Sequence, residues 1–307
     1  MKAIVFDNFK DKFFQLNKYL KLEEVNFTSV KFKNGEGKIT INESLKGEDV
    51  IVFSDFSHPC YYKYLGKKRL YSKDEYCMEL KRVISAIDDA KSITVYLPLI
   101  YQSRQNANKE NESKDYLLFI NELRQQGVDK IVTFESHGEE NLVDSYSLAN
   151  LFKDFHYDVV VSPDKGGVER SEEYSKILHA DNTHFDKVRN LSMIVDGANP
   201  IDEYQKSDYD FNNKHVLIVD DILDSGNTLI NAINSIENAN KIDAFVAYPL
   251  FSKGIKELKK LVKQRKLNRL YISNLIYIPK EIRSADFIEV INVDEYIANV
   301  IKKEVQQ

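Results

Sequence analysis

Bulk composition excludes more than it reveals in this chain of 307 residues. There are two cysteines, Cys60 and Cys77, and neither belongs to a CxxC pair, so neither a disulfide framework nor a zinc site is expected. There is no basic surplus: 43 Lys and Arg stand against 48 Asp and Glu, interspersed, for a formal net charge of −5. A general nucleic-acid binder carries a basic excess or stripe. The one basic segment, residues 253–266, reads as the solvated face of a helix, and no nucleic-acid partner is expected. No stretch approaches the ~20 consecutive apolar residues of a membrane helix, so no membrane association is expected. Six prolines and 11 glycines are too few for a collagenous or low-complexity chain. Residues 1–6 form a short apolar run stopped by Asp7, unlike the long run and cleavage site of a signal peptide, and the cytoplasm is the expected compartment.

The remaining pattern is that of a globular α/β protein. The chain is 43% hydrophobic and 30% charged, and its length suggests about two domains, each able to bury a core. Short apolar runs at residues 2–6, 50–53, 92–97, 130–134, 158–162, 214–219, 244–248, 269–273 and 288–292 read as strands. Helical periodicity occupies 76–87, 114–124, 145–152, 169–178, 228–236 and 296–303. Such alternation predicts mostly parallel sheets flanked by helices, and it occurs twice, before and after about residue 143. Two similar domains are expected, 1–143 and 144–293, with a C-terminal helix at about 294–307 packing back on the first. Two segments break the rhythm. Residues 28–41 alternate around Asn34-Gly35, as a hairpin does. Residues 185–213 are polar and irregular, which in a compact domain suggests a functional loop.

The sharpest motif follows the run His215-Val216-Leu217-Ile218-Val219. It reads Asp220-Asp221-Ile222-Leu223-Asp224-Ser225-Gly226-Asn227-Thr228 and leads into a helix starting at Thr228. Ligands of open α/β sheets bind beyond the carboxyl ends of strands. A helix start offers unpaired N–H groups and a positive dipole end to a phosphate. Ser225, Gly226 and Asn227 allow close backbone approach, and Ser225 and Thr228 add hydroxyls. Asp220 and Asp221 are suited to accept hydrogen bonds from vicinal ribose hydroxyls, or to hold a metal ion through water. A strand end and a helix cap would explain parts of the motif, but not all of it in one register.

This loop resembles the phosphoribosyl diphosphate loop of type I phosphoribosyltransferases and of ribose-phosphate diphosphokinases, with Ser225 in place of a Thr and Asn227 in place of a Gly. Asn tolerates a left-handed backbone, so a working loop is expected. Other segments select the diphosphokinases. Residues 161–170, Val-Ser-Pro-Asp-Lys-Gly-Gly-Val-Glu-Arg, resemble that family's Val-Ser-Pro-Asp-x-Gly-Gly. Phe32, Asn34 and Glu36 match its early Phe-x-Asp-Gly-Glu, with Asn for Asp, on a hairpin that in relatives reaches the ATP site of a neighbouring subunit. Tyr101, Arg104 and Gln105 correspond to its Tyr-x-x-x-Arg-Gln-Asp-Arg, with Asn106 and Ala107 replacing the last two residues. Glu135-Ser136-His137 falls where relatives carry Asp-Leu-His, and Lys187 and Arg189 match the ends of Lys-Arg-Arg at the root of the catalytic loop.

The resemblance implies two phosphoribosyltransferase-like domains and transfer of a diphosphoryl group from ATP to ribose 5-phosphate. It implies that Asp224 to Thr228 bind the 5-phosphate while Asp220 and Asp221 hold the ribose hydroxyls. Lys187 and Arg189 would stabilise the transition state. Phe32, Asn34, Glu36, Arg104, Gln105 and His137 would meet ATP, and His137 and Asp164 would organise Mg²⁺. A homo-oligomer, dimer or hexamer, is expected by the same analogy. Two readings stay open here: a phosphoribosyltransferase that consumes phosphoribosyl diphosphate, and a non-catalytic regulatory homologue, for which the ATP-side substitutions are the motive.

Overall fold

The computed structural model describes residues 1–105, 110–136, 142–189, 201–204 and 207–306. The chain divides into two compact units. The first comprises Met1–Tyr146, Leu275–Tyr277 and Val293–Gln307; the second comprises Ser147–Asn274 and Ile278–Asn292.

The first unit is built on strands β1 (Lys2–Val5), β2 (Glu23–Val25), β5 (Asp49–Phe53), β8 (Ser92–Tyr96), β9 (Lys130–Phe134) and β10 (Asp144–Tyr146). They form one sheet in the order β10-β9-β8-β5-β1-β2, with every pairing parallel. Helices α1 (Lys10–Leu20), α2 (Lys73–Ser85) and α3 (Asp115–Gln125) supply crossovers. A parallel sheet covered on both faces needs continuous apolar strands, and Ile4, Val50, Val52, Val95 and Ile131 are buried within one core. Each such side chain contributes ~1.5–3 kcal/mol by burial. Two hairpins stand outside the sheet: β3 (Phe27–Lys31) with β4 (Gly37–Ile41), and β6 (Tyr61–Tyr64) with β7 (Lys67–Leu70). A capping box fixes the start of α2. The Ser72 hydroxyl accepts from the Glu75 amide at 3.1 Å, and the Glu75 carboxylate accepts from the Ser72 amide at 3.0 Å.

The second unit repeats the design with β11 (Val159–Ser162), β12 (Asp181–His184), β15 (His215–Leu223), β16 (Lys241–Pro249), β17 (Arg269–Ser273) and β18 (Ile288–Ile291). The order is β12-β11-β15-β16-β17-β18, again wholly parallel. Its helices are α4 (Val168–Leu178), α5 (Asn227–Ser235), α6 (Lys256–Lys263) and the short α7 (Lys280–Arg283). A small antiparallel pair, β13 (Lys187–Arg189) with β14 (Ile201–Tyr204), lies in the polar segment expected to be irregular. At the amino ends of the strands, Asp243 is completely buried. It accepts from Tyr157 at 3.1 Å and Asn268 at 2.5 Å, and its carboxylate lies 3.0 Å from His215 Nε2 and 3.5 Å from Lys241 Nζ.

The last helix, α8 (Asp294–Gln306), belongs to the first unit. Lys12 of α1 pairs with Asp294, Lys130 of β9 reaches Glu304 at 3.1 Å, and the Phe134 and Tyr296 rings meet at 6.0 Å. One expectation fails: residues 145–152 are not an α-helix. They comprise the end of β10 and a 3-10 turn at Ala149–Phe152. Leu148, Ala149 and Phe152 are buried with a spacing that both helix types satisfy.

Candidate active site

In the second unit β11 and β15 are neighbours, so the segments that follow them emerge side by side at the carboxyl edge of the sheet. After β11 the chain turns tightly. The Ser162 hydroxyl donates to the Asp164 carbonyl at 2.6 Å, and the Gly166 amide donates to the Asp164 carboxylate at 2.9 Å. A Cβ on Gly167 would stand 2.6 Å from Ser162 Oγ, so any larger residue there forces Ser162 to shift. The turn leads directly into α4, whose third residue, Arg170, lies 3.4 Å from the Asp221 carboxylate.

Asp220 and Asp221 sit inside β15, which runs on to Leu223 beside β16 rather than stopping at Val219 as the hydrophobic run suggested. Asp221 is buried and Asp220 half-buried. Desolvation, and next the charge of Asp221, push the Asp220 carboxyl well above the usual carboxylate range. The Arg170 guanidinium opposes the shift and Asp164 adds to it. The tandem carboxylates therefore sit beside the Arg170 guanidinium, with Asp164 near enough for its charge to be felt.

Beyond Leu223 the chain bends through Asp224, Ser225 and Gly226 into α5. The Leu223 and Asp224 carbonyls accept from the amides of Phe251 and Ser252 at 2.9 and 3.0 Å, which anchors the loop to the end of β16. Gly226 has φ 83°, a left-handed conformation that glycine adopts without strain. The left-handed position is thus Gly226, and Asn227 opens the helix in ordinary helical geometry, so its tolerance for left-handed backbone is not used. The N-cap of α5 is Gly226, which has no side chain, so a bound anion can approach the helix start closely.

Asp186 lies 3.1 Å from Lys165 and directly precedes Lys187. The Phe185 amide donates to the Ser162 carbonyl at 3.1 Å, so β13 begins at the same sheet edge. Lys187 and Arg189 lie on β13, opposite Tyr204 and Ile201 of β14, and β14 rests against α5. Their side chains lie outside the described residues.

In the first unit Phe32, Asn34 and Glu36 occupy the turn between β3 and β4, with Phe32 47% exposed. Asn34 Nδ2 donates to the Glu36 carboxylate at 2.8 Å. Arg104 and Gln105 are exposed in a 3-10 turn, Ser103–Gln105, that follows β8. Tyr101, three residues earlier, donates to Asp74 at 2.7 Å, and Asp74 lines a cavity of about 230 Å³ together with Gly35, Gly37 and Arg82. His137 lies outside the described residues; Glu135, just before it, is buried with φ 46°. Among the described residues no three His, Cys, Asp or Glu side chains are placed to cage a metal ion.

The structure brings Asp164, Asp220 and Asp221 to one edge and joins that edge to the base of the Lys187 strand. Sequence reasoning gave Arg170 no role, although it closes the motif at 161–170. Its pairing with Asp221, 51 positions on, has no local signature.

Comparisons with known proteins point to one family. Residues 8–127 match the model for the N-terminal domain of ribose phosphate pyrophosphokinase, and residues 135–262 match the phosphoribosyl transferase domain. The chain is 28% identical to a ribose-phosphate pyrophosphokinase of Agrobacterium fabrum, over 94% of this chain and 92% of the relative. It is 27% identical to one of Pyrococcus abyssi, over 91% and 92%. A crystal structure of phosphoribosylpyrophosphate synthetase from Mycobacterium smegmatis superposes with a TM-score of 0.77 at 20% identity, covering 99% of this chain and 98% of that one, which shows the shared fold.

Proposed function

The chain belongs to the ribose-phosphate pyrophosphokinase family, and we propose that it transfers the β,γ-diphosphoryl group of ATP to the anomeric hydroxyl of ribose 5-phosphate. The anomeric oxygen gives up its proton to solvent and forms a bond to the β-phosphorus as the bond from that phosphorus to the bridging α,β oxygen breaks. AMP leaves and phosphoribosyl diphosphate forms. The observation that carries this reading is the convergence of the 161–170 turn and the Asp220–Thr228 segment at one sheet edge, joined by Arg170 and Asp221.

In this reading the start of α5, with Ser225, Gly226, Asn227 and Thr228, receives the 5-phosphate. Asp224 borders it, and Asp220 and Asp221 accept hydrogen bonds from the ribose hydroxyls. Arg170 holds Asp221 in place. Such a transfer rests on positioning and charge neutralisation more than on covalent catalysis. Lys187 and Arg189, carried on a strand rooted at the same edge, neutralise charge on the group in flight. Phe32, Asn34, Glu36, Arg104, Gln105 and His137 contact the nucleotide.

The crowded carboxylates and the substrate phosphates are hard oxygen donors suited to Mg²⁺. When bound, Mg²⁺ would offset phosphate charge. His137 and Asp164 would hold it along with the phosphates and water. The enzyme would act as a homo-oligomer, dimer or hexamer, in the cytoplasm; among the described residues no helix is long and apolar enough to cross a membrane.

The test is AMP formation from ATP and Mg²⁺ with and without ribose 5-phosphate. Sugar-dependent AMP is expected, and its absence across a range of phosphate concentrations overturns the proposal.

A further inference from the structure

The β6–β7 hairpin lies outside the main sheet and closes on Leu65 and Gly66, at φ 48° and 76°. A two-residue connection with both φ positive matches the twist of its strands. Across the ladder Tyr62 faces Arg69 and Tyr64 faces Lys67, so these four share one face, while Tyr61, Lys63, Lys68 and Leu70 share the other. An isolated two-stranded hairpin is marginally stable in water. This one is held by its first face.

The contacts of that face lead to the turn of the β3–β4 hairpin. Lys31, the last residue of β3, donates to the Tyr62 hydroxyl at 3.0 Å, lies 4.2 Å from the Tyr62 ring centre and pairs with Glu75. The Tyr62 hydroxyl donates to Glu75 at 2.7 Å. Two residues along, the Tyr64 hydroxyl donates to the Lys33 carbonyl at 2.8 Å and stands 3.7 Å from the place a Cβ on Gly35 would take. The Arg69 guanidinium lies 5.0 Å from the Tyr64 ring centre and steadies it.

The turn has its own internal bonds. The Phe32 amide donates to the Glu36 carbonyl at 2.8 Å, the Gly35 amide to the Phe32 carbonyl at 2.9 Å, and the Glu36 amide to the Asn34 side chain at 3.2 Å. These bonds fix the shape of the turn but not where it points. Lys31 fixes its root, and Tyr64 holds the tip from outside the hairpin.

We propose that Tyr64 is a positioning residue for the nucleotide: by tethering the Lys33 carbonyl it sets the placement of Phe32, Asn34 and Glu36 against ATP. This inference rests on the ATP-binding role given to that turn above. Tyr64 need not touch ATP, so its removal affects how firmly ATP is held and not the transfer step.

The experiment compares the wild type with Tyr64→Phe, which deletes only the hydroxyl, and with Lys68→Ala on the opposite face as control. ATP binding is measured by calorimetry with Mg²⁺ and no sugar, followed by steady-state AMP formation. Tyr64→Phe is expected to raise both Kd and KM for ATP about fivefold, the factor one neutral hydrogen bond carries. Its kcat and its KM for ribose 5-phosphate should stay within about twofold of wild type, and Lys68→Ala should change nothing. A Tyr64→Phe protein that melts lower yet binds ATP normally has lost only a structural bond, and the proposal falls. Wild-type protein that binds ATP but makes no AMP refutes the diphosphokinase reading, while the Kd comparison still decides the role of Tyr64. Failure of the wild type to bind ATP overturns both.

Discussion

Arg170 and Asp221, on neighbouring segments of the second unit, meet at 3.4 Å with their side chains only 13% and 8% exposed. The ion pair connects a turn whose shape depends on Gly167 to the strand that carries the tandem carboxylates. Removing one partner of a buried pair leaves the other charge without compensation and costs roughly 3 kcal/mol or more. Arg170→Leu should therefore lower unfolding free energy in urea by about 3 kcal/mol and weaken ribose 5-phosphate binding. A loss below about 1 kcal/mol would show that the pair does not join the two motifs.

Gly167 tests the turn itself. A methyl group there would press on Ser162 Oγ, which is fixed by its bond to the Asp164 carbonyl. Overpacking of this kind costs ~1–3 kcal/mol. Gly167→Ala should destabilise by that amount and raise the KM for ribose 5-phosphate; unaltered melting and kinetics would mean that Ser162 yields freely.

At the opposite end of the same sheet, Asp243 joins Tyr157, His215, Lys241 and Asn268 away from the candidate site. Asp243→Ala leaves the buried Tyr157 hydroxyl, and the more exposed His215, Lys241 and Asn268, without their acceptor, at ~1–3 kcal/mol. Its denaturant midpoint should fall sharply while the KM values of the folded fraction remain at wild-type level. A shift in KM would place Asp243 in the substrate-binding network instead.

The first unit has a pH-dependent element at Glu75. Burial alone would raise this carboxyl, but bonds from Lys31, Tyr62 and the Ser72 amide outweigh burial and hold it at about 2, against an ordinary 4.5. A carboxyl lowered on folding stabilises above its unfolded value and loses that contribution as pH falls through the window from about 4.5 to 2. With the side chain 31% exposed, solvent screening reduces the contribution to about 1 kcal/mol. Glu75→Gln should be about 1 kcal/mol less stable than wild type at pH 6, with the gap narrowing at pH 4 and below. A gap that does not change with pH would contradict the assignment.

Lys187 and Arg189 carry the proposed charge neutralisation. Loss of a group that acts only in the transition state lowers kcat by ~10²–10³-fold with little change in KM. Lys187→Ala should show that split in AMP formation, and a fully active variant would remove Lys187 from the chemistry.

Much of this arrangement is legible in the sequence because it is local. Both sheets read from apolar runs such as Val216 to Val219, and the Asp220–Thr228 segment from the spacing of its acidic and small residues. Three features are not local. Strand β15 continues through the two aspartates because β16 pairs with it as far as Pro249, a register no hydropathy pattern records. Strand β2 has three residues, two of them Glu, and exists because β1 offers it an edge. The β6–β7 hairpin turns on Leu-Gly rather than Asn-Gly, and its strands are mostly exposed, so neither turn nor alternation signals it. Helix α1 is a different case: Phe13, Leu16 and Leu20 have helical spacing and are buried, a signal the sequence itself carries. The Arg170–Asp221 pair depends on two crossovers placing β11 beside β15.

The most direct test of the central claim is phosphorus NMR of the protein with ATP, Mg²⁺ and ribose 5-phosphate. The account predicts that AMP and a diphosphate attached to the anomeric carbon of the sugar grow together, one for one, as ATP declines. ADP with inorganic phosphate in their place, or AMP accumulating equally fast without the sugar, would contradict it.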